Sequence, residues 1–103
     1  MTLHRLRRTY ALELYAPQLS GRERADVAAR LITAAEAMRG EGIPIRYLRS
    51  LVLRADEICF AVFAAPSADV VVDAAQRAAV AFERVVEVDT AEHIPNRKAN
   101  DGR

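Results

Sequence analysis

From Thr9 to Tyr15 the chain alternates, Tyr10, Leu12 and Leu14 falling on one side and Ala11, Glu13 and Tyr15 on the other. A period of two is that of a half-buried strand. Pro17 ends the run, and Ser20 with Glu23 makes a capping box, each side chain satisfying a backbone donor that the first helical turn leaves free. The helix begun there repeats apolar residues at Val27, Leu31, Ala34, Ala35 and Met38, with Gly40 as its expected left-handed stop. Ile45 to Leu53, rich in branched and aromatic residues, reads as a second strand. Arg54 to Glu57 is a polar turn, and Ile58 to Ala65 is a third strand with almost no polar residue, as a central strand would have. Pro66 and Ser67 open a second helix running to about Ala79, with Asp69 in its first turn where the helix dipole favours an anion. Val70, Val71 and Val72 crowd the preceding turn, so local propensity is weakest here and the position between two strands carries the assignment. Phe82 to Asp89 alternates again as a fourth strand; Thr90 to Arg103 has no periodicity.

Two strand-helix-strand units joined through a hairpin predict an α+β domain, a ferredoxin-like βαββαβ sandwich. Right-handed crossovers give strand order 4-1-3-2, a four-stranded antiparallel sheet with two helices on one face. The chain divides into a basic N-terminal arm over 1–8, the ferredoxin-like domain over 9–90 and a flexible polar tail over 91–103.

Composition narrows the classes. The length of 103 residues suits one core, and 51% apolar with 28% charged residues is globular. Fifteen basic against fourteen acidic residues leave a net charge of +1, which argues against nucleic acid as partner. The cluster Arg5, Arg7 and Arg8 beside His4 reads as a solvated arm. No apolar run approaches the ~20 residues of a membrane span, and residues 1–8 lack the apolar core of an export signal, so no membrane partner and a soluble, cytoplasmic location are expected. The single Cys59 and the lack of CxxC or HExxH patterns agree with a reducing compartment. Abundant alanine, with Lys98 the only lysine among many arginines, suggests GC-rich bacterial coding.

Candidate chemistry lies on the sheet face that the helices leave open. If Leu12, Leu14, Phe60, Val62, Val86 and Val88 point at the helices, the other side presents Glu13, Tyr15, Cys59, Phe63, Glu87 and, by pairing, Tyr47, Arg49 and Leu51. An exposed patch of that kind marks a partner surface or ligand cleft, so a homodimer through this face is expected. Within it Glu13, Tyr15, Tyr47, Arg49 and Glu87 form a candidate ligand-binding cluster. Glu13 and Glu87 on adjacent strands would repel, raising one pKa unless Arg49 or a metal neutralises them, as in acid, base or hard-ligand sites; the plainer alternative is cross-pairing with arginines of a second subunit. Cys59 reads as a small buried hydrophobe, not a nucleophile. His4 and His93 flank the antiparallel first and fourth strands, so their imidazoles, beside Glu92, are a candidate metal site. No Gly-rich phosphate loop, GxSxG elbow or HxH pair occurs.

Across Tyr47-Leu48-Arg49-Ser50, Cys59-Phe60, Phe63 with Ala65-Pro66-Ser67-Ala68, and Arg84-Val85-Val86-Glu87-Val88, the chain resembles a family of small bacterial ferredoxin-like proteins of unknown function that includes a nickel-binding dimer. The likeness spans Tyr10 to Val88. It implies a homodimer and a divalent metal such as nickel, although the histidines of the metal-binding member's first strand have no counterpart between Tyr10 and Tyr15. Tyr47, Arg49 and Glu87 are the matching candidate positions. The expected function is a small dimeric binding protein holding a metal ion or small molecule on or between the open sheet faces. Alternatives are a dimeric α/β-barrel-like enzyme of the cofactor-free oxygenase or cyclase type, with Arg49 steadying an enolate, and a structural or regulatory interaction module.

Overall fold

Every strong periodic segment of the sequence becomes the element its period predicts. A computed structural model describes residues 8–15, 21–56 and 58–89, Tyr15 by its backbone alone. In chain order these form β1 (Arg8–Tyr15), α1 (Gly21–Gly40), β2 (Arg46–Leu53), a 3-10 turn (Arg54–Asp56), β3 (Ile58–Ala65), α2 (Ala68–Arg77) and β4 (Arg84–Val88). The strands make one antiparallel sheet in the order β2-β3-β1-β4, which is the expected 4-1-3-2 read from the other edge. The protein is therefore α+β. Ser20 of the capping box, most of the 1–8 arm and the tail beyond Asp89 lie outside the described residues; Arg8 itself already belongs to β1. Among the described residues no helix is long and apolar enough to cross a membrane.

Both helices pack on the same side. Leu31, Ala34, Ala35 and Met38 of α1 and Val71, Ala74 and Ala75 of α2 share one buried cluster with Tyr10, Leu12 and Leu14 of β1 and Cys59, Ala61, Phe63 and Ala65 of β3. Alanines on the facing surfaces let helix and sheet approach closely around the few large groups, of which Phe63, Leu12, Leu31 and Met38 are fully enclosed. This packing explains why α2 forms despite its valine run: burial of Val71 outweighs the few tenths of a kcal/mol that branched residues typically lose in a helix.

The register corrects the expected faces. Cys59 and Phe63 point into the helix layer, whereas Phe60 and Val62, one position out of phase with them, lie on the open side. On β4, Val85 faces Leu12 and packs on the core, which sends Val86 and Val88 to the open side as well. On β2 a bulge between Tyr47 and Arg49 absorbs one residue, so Tyr47 pairs with Phe63 on the helix side while Arg49 and Leu51 pair with Val62 and Phe60 on the other. Tyr47 meets the Phe63 ring edge to face, centroids 5.5 Å apart at 86°.

Each helix ends in a Schellman motif, but not at Gly40. Gly42 N–H donates to the Arg39 carbonyl and Ile43 N–H to Met38, and Gly42 is the residue with left-handed φ, +92°. Gly40 still lies within α1. At the end of α2 the same pattern runs from Ala79 to Gln76 and from Val80 to Ala75, with Ala79 at φ +57°. An L-residue there bears a steric cost of about 1 kcal/mol or more that glycine avoids. Ala79→Gly is accordingly expected to stabilise the fold by about 0.5 kcal/mol, once glycine's extra chain entropy is set against the relieved strain; a urea midpoint that falls would count against it. The Arg30 guanidinium of α1 caps this end from across the helix pair, donating to the Ala78 carbonyl at 3.0 Å and Ala79 at 3.3 Å while Asp26 holds it at 3.3 Å. Arg77 forks onto Glu41 at 2.7 and 2.8 Å, which lowers the Glu41 pKa below the usual carboxylate range.

Candidate functional site on the open sheet face

Because both helices lie on one side, the opposite face is built from alternate residues of all four strands. Register places Thr9, Ala11 and Glu13 of β1, Phe60, Val62 and Ala64 of β3, Arg84, Val86 and Val88 of β4, and Arg46, Arg49, Leu51 and Leu53 of β2 on it. The face holds an open concavity of about 390 Å³, lined by Thr9, Ala11, Arg49, Leu51, Phe60, Val62, Arg84, Val86, Val88 and Asp89. Ligand sites commonly occupy about 300 to 1,000 Å³ and combine apolar walls with a few convergent polar groups. Val62 is only 4% exposed although no helix covers it. Leu51 and Leu53, by contrast, stand 48% and 46% exposed.

Charge sits on the rim. Arg84 Nε donates to Glu13 Oε1 at 2.6 Å directly across the β1–β4 pair, so the Glu13 carboxylate is already engaged. Arg46 and Arg49 make no ion pair among the described residues. The face thus offers an apolar floor beside guanidinium groups that make no ion pair among the described residues.

The structure divides the predicted ligand cluster. Glu13 and Arg49 lie on the open face. Tyr47 does not: the bulge turns it to the helix side, where its hydroxyl shares a hydrogen bond with Ser50. Glu87 pairs across from Tyr10, on the helix side of the outer strand, and approaches Arg8 at 3.9 Å. Glu13 and Glu87 are therefore on opposite faces and form no acidic pair; Arg84 occupies the place opposite Glu13. Tyr15 ends β1 opposite Ile58, and its side chain lies outside what is described. Cys59, assigned to the open face by sequence, is enclosed beneath α1, where burial pushes its thiol pKa up and the Arg24 charge draws it partly back. It behaves as the small buried hydrophobe expected of it.

His4, Glu92 and His93 lie outside the described residues. Among the described residues no group of three or more histidine, cysteine, aspartate or glutamate side chains converges.

Sequence reasoning missed Arg84, Phe60, Val62, Val86 and Val88 as residues of this face. The available signal was the i, i+2, i+4 spacing of Arg84, Val86 and Val88, hidden because Glu87 between them looked like the solvent-facing position. Comparison with protein-family models, curated proteins and solved structures returned no match for the chain.

Proposed function

We propose that the chain is a small homodimeric binding protein of ferredoxin-like βαββαβ architecture, whose two open sheet faces pack together around an amphipathic organic anion. The element order, the strand order and the placement of both helices on one face support that architecture. The observation that carries the ligand reading is Arg49, which makes no ion pair among the described residues and stands at the rim of an apolar concavity. Pairing two such faces would gather guanidinium groups from both copies in a water-poor chamber. An uncompensated charge there costs several kcal/mol, which a bound carboxylate or similar anion offsets while its apolar body covers Phe60, Val62, Val86 and Val88. A hard metal ion suits this face less well, since Glu13 is held by Arg84 and Asp89 is the one carboxylate lining the concavity beside Arg49 and Arg84. The oxygenase or cyclase reading loses support too, because Tyr47 and Glu87 sit on the other side of the sheet from Arg49 and the Glu13 carboxylate is engaged by Arg84.

Native mass spectrometry of gently purified protein is expected to show a dimer that retains or takes up an alkyl carboxylate such as octanoate. Arg49→Gln should weaken octanoate binding about tenfold or more, the loss typical of a charge-assisted hydrogen bond, with an unchanged circular dichroism spectrum. A monomer at micromolar concentration would overturn the pairing, and equal octanoate affinity in the variant would overturn the role of Arg49.

A further inference from the structure

We propose that the free edge of β2 is a docking site for an acidic, extended segment of another protein, which adds to the sheet as a fifth strand. This edge adjoins the chamber above and shares Arg49 and Leu51 with its lining, but the proposal stands on the outer backbone row of β2 and the residues on both of its faces.

β2 is an edge strand that among the described residues pairs only with β3, so its outer row of backbone donors and acceptors has no strand partner among them. Of the five large hydrophobic residues that stand exposed among the described residues, four belong to this strand: Leu48, Leu51, Val52 and Leu53. They do not share one face. Leu51 and Leu53 lie on the open side with Phe60 and Ile58, whereas Val52 is opposite Cys59 on the helix side. Packing two open faces would cover the first pair and leave Val52 in water. A strand added at the edge has neighbours on both faces at once, because its own side chains alternate, and it satisfies the backbone row as well.

Charge selects the occupant. Arg46, Arg49 and Arg54 make no ion pair among the described residues, and β2 itself carries no carboxylate. Antiparallel pairing of β2 with a second copy of itself would set these cations against each other, with Asp56 the nearest acid. A strand alternating carboxylates with apolar residues sets its carboxylates on the open side, where Arg46 and Arg49 lie, and its apolar side chains beside Val52 on the helix side. The bulge at Tyr47/Arg49 interrupts the regular edge, so Arg49–Leu53 is the stretch on which such a strand would pair. The opposite edge is guarded differently: β4 has only five residues, and its charges are matched, Arg84 by Glu13 and Glu87 by Arg8.

The test titrates the full chain with an acetylated eight-residue peptide alternating glutamate and valine, against its lysine-for-glutamate counterpart, followed by amide NMR shifts. The glutamate peptide is expected to bind at least tenfold more tightly, to move β2 and its β3 neighbours, and to weaken as salt rises. The double variant Arg46→Glu, Arg54→Glu should invert the preference, binding the lysine peptide instead, which a merely damaged fold would not do. Equal affinity for the two peptides, shifts centred on Val86 and Val88, or self-association through β2 in place of peptide binding would each overturn the proposal.

Discussion

Replacing Phe63 with alanine is expected to lower the folding stability by about 4 kcal/mol, seen as a large drop in urea midpoint at unchanged slope. The ring is fully enclosed between sheet and helices. It is also the partner of the Tyr47 ring, so truncation loses transfer energy, leaves a cavity and unmoors the start of β2. Since small domains are stable by only about 5 to 15 kcal/mol, a loss of this size consumes a large share of the total. A drop below about 1 kcal/mol would show that Phe63 is not a core residue.

Phe60→Glu, three residues away in the same strand, should act quite differently. Its side chain sits on the open face, so the monomer fold has little to lose. In the proposed dimer a carboxylate at this position would be buried between the two apolar faces, and the dimer dissociation constant should rise about a hundredfold or more. Sedimentation velocity would then show monomers with a native circular dichroism spectrum. Persistence of the dimer would rule out pairing through this face, and unfolding of the variant would reverse the face assignment itself. The two phenylalanines together separate the structural register from the one that alternation alone suggested.

The contrast shows where the sequence was readable. β1 alternates cleanly, with Glu13 breaking the apolar pattern, and its inward residues Leu12 and Leu14 were legible for that reason. Helix positions and most boundaries were legible from Pro, Ser and Gly punctuation, although Gly40 and Gly42 compete as stops and only backbone geometry chooses Gly42. β3, Ile-Cys-Phe-Ala-Val-Phe-Ala-Ala, is apolar on both faces, so no period tells which phase is inward. In β2 the bulge changes the phase between Tyr47 and Arg49, and nothing in Tyr-Leu-Arg announces it. Glu87 misled because an edge strand lets a carboxylate reach water from the covered side. The candidate site was accordingly half legible: Glu13 and Arg49 were identified, while Tyr47 and Glu87 were assigned to the wrong side and Arg84 was overlooked.

The interleaving of the strands also bears on how the chain reaches this state. The hairpin β2–β3 is the one local pairing; β1 pairs with β3 and β4, never with β2, which follows it after α1. Joining Glu13 to Arg84 closes nearly the whole domain into a loop, and such distant closures slow folding. During synthesis the apolar β1 has no partner on its outer side until β4 has emerged, so the newest part of the chain shields the oldest, and the interval before it arrives is when the nascent protein is most exposed to misassociation.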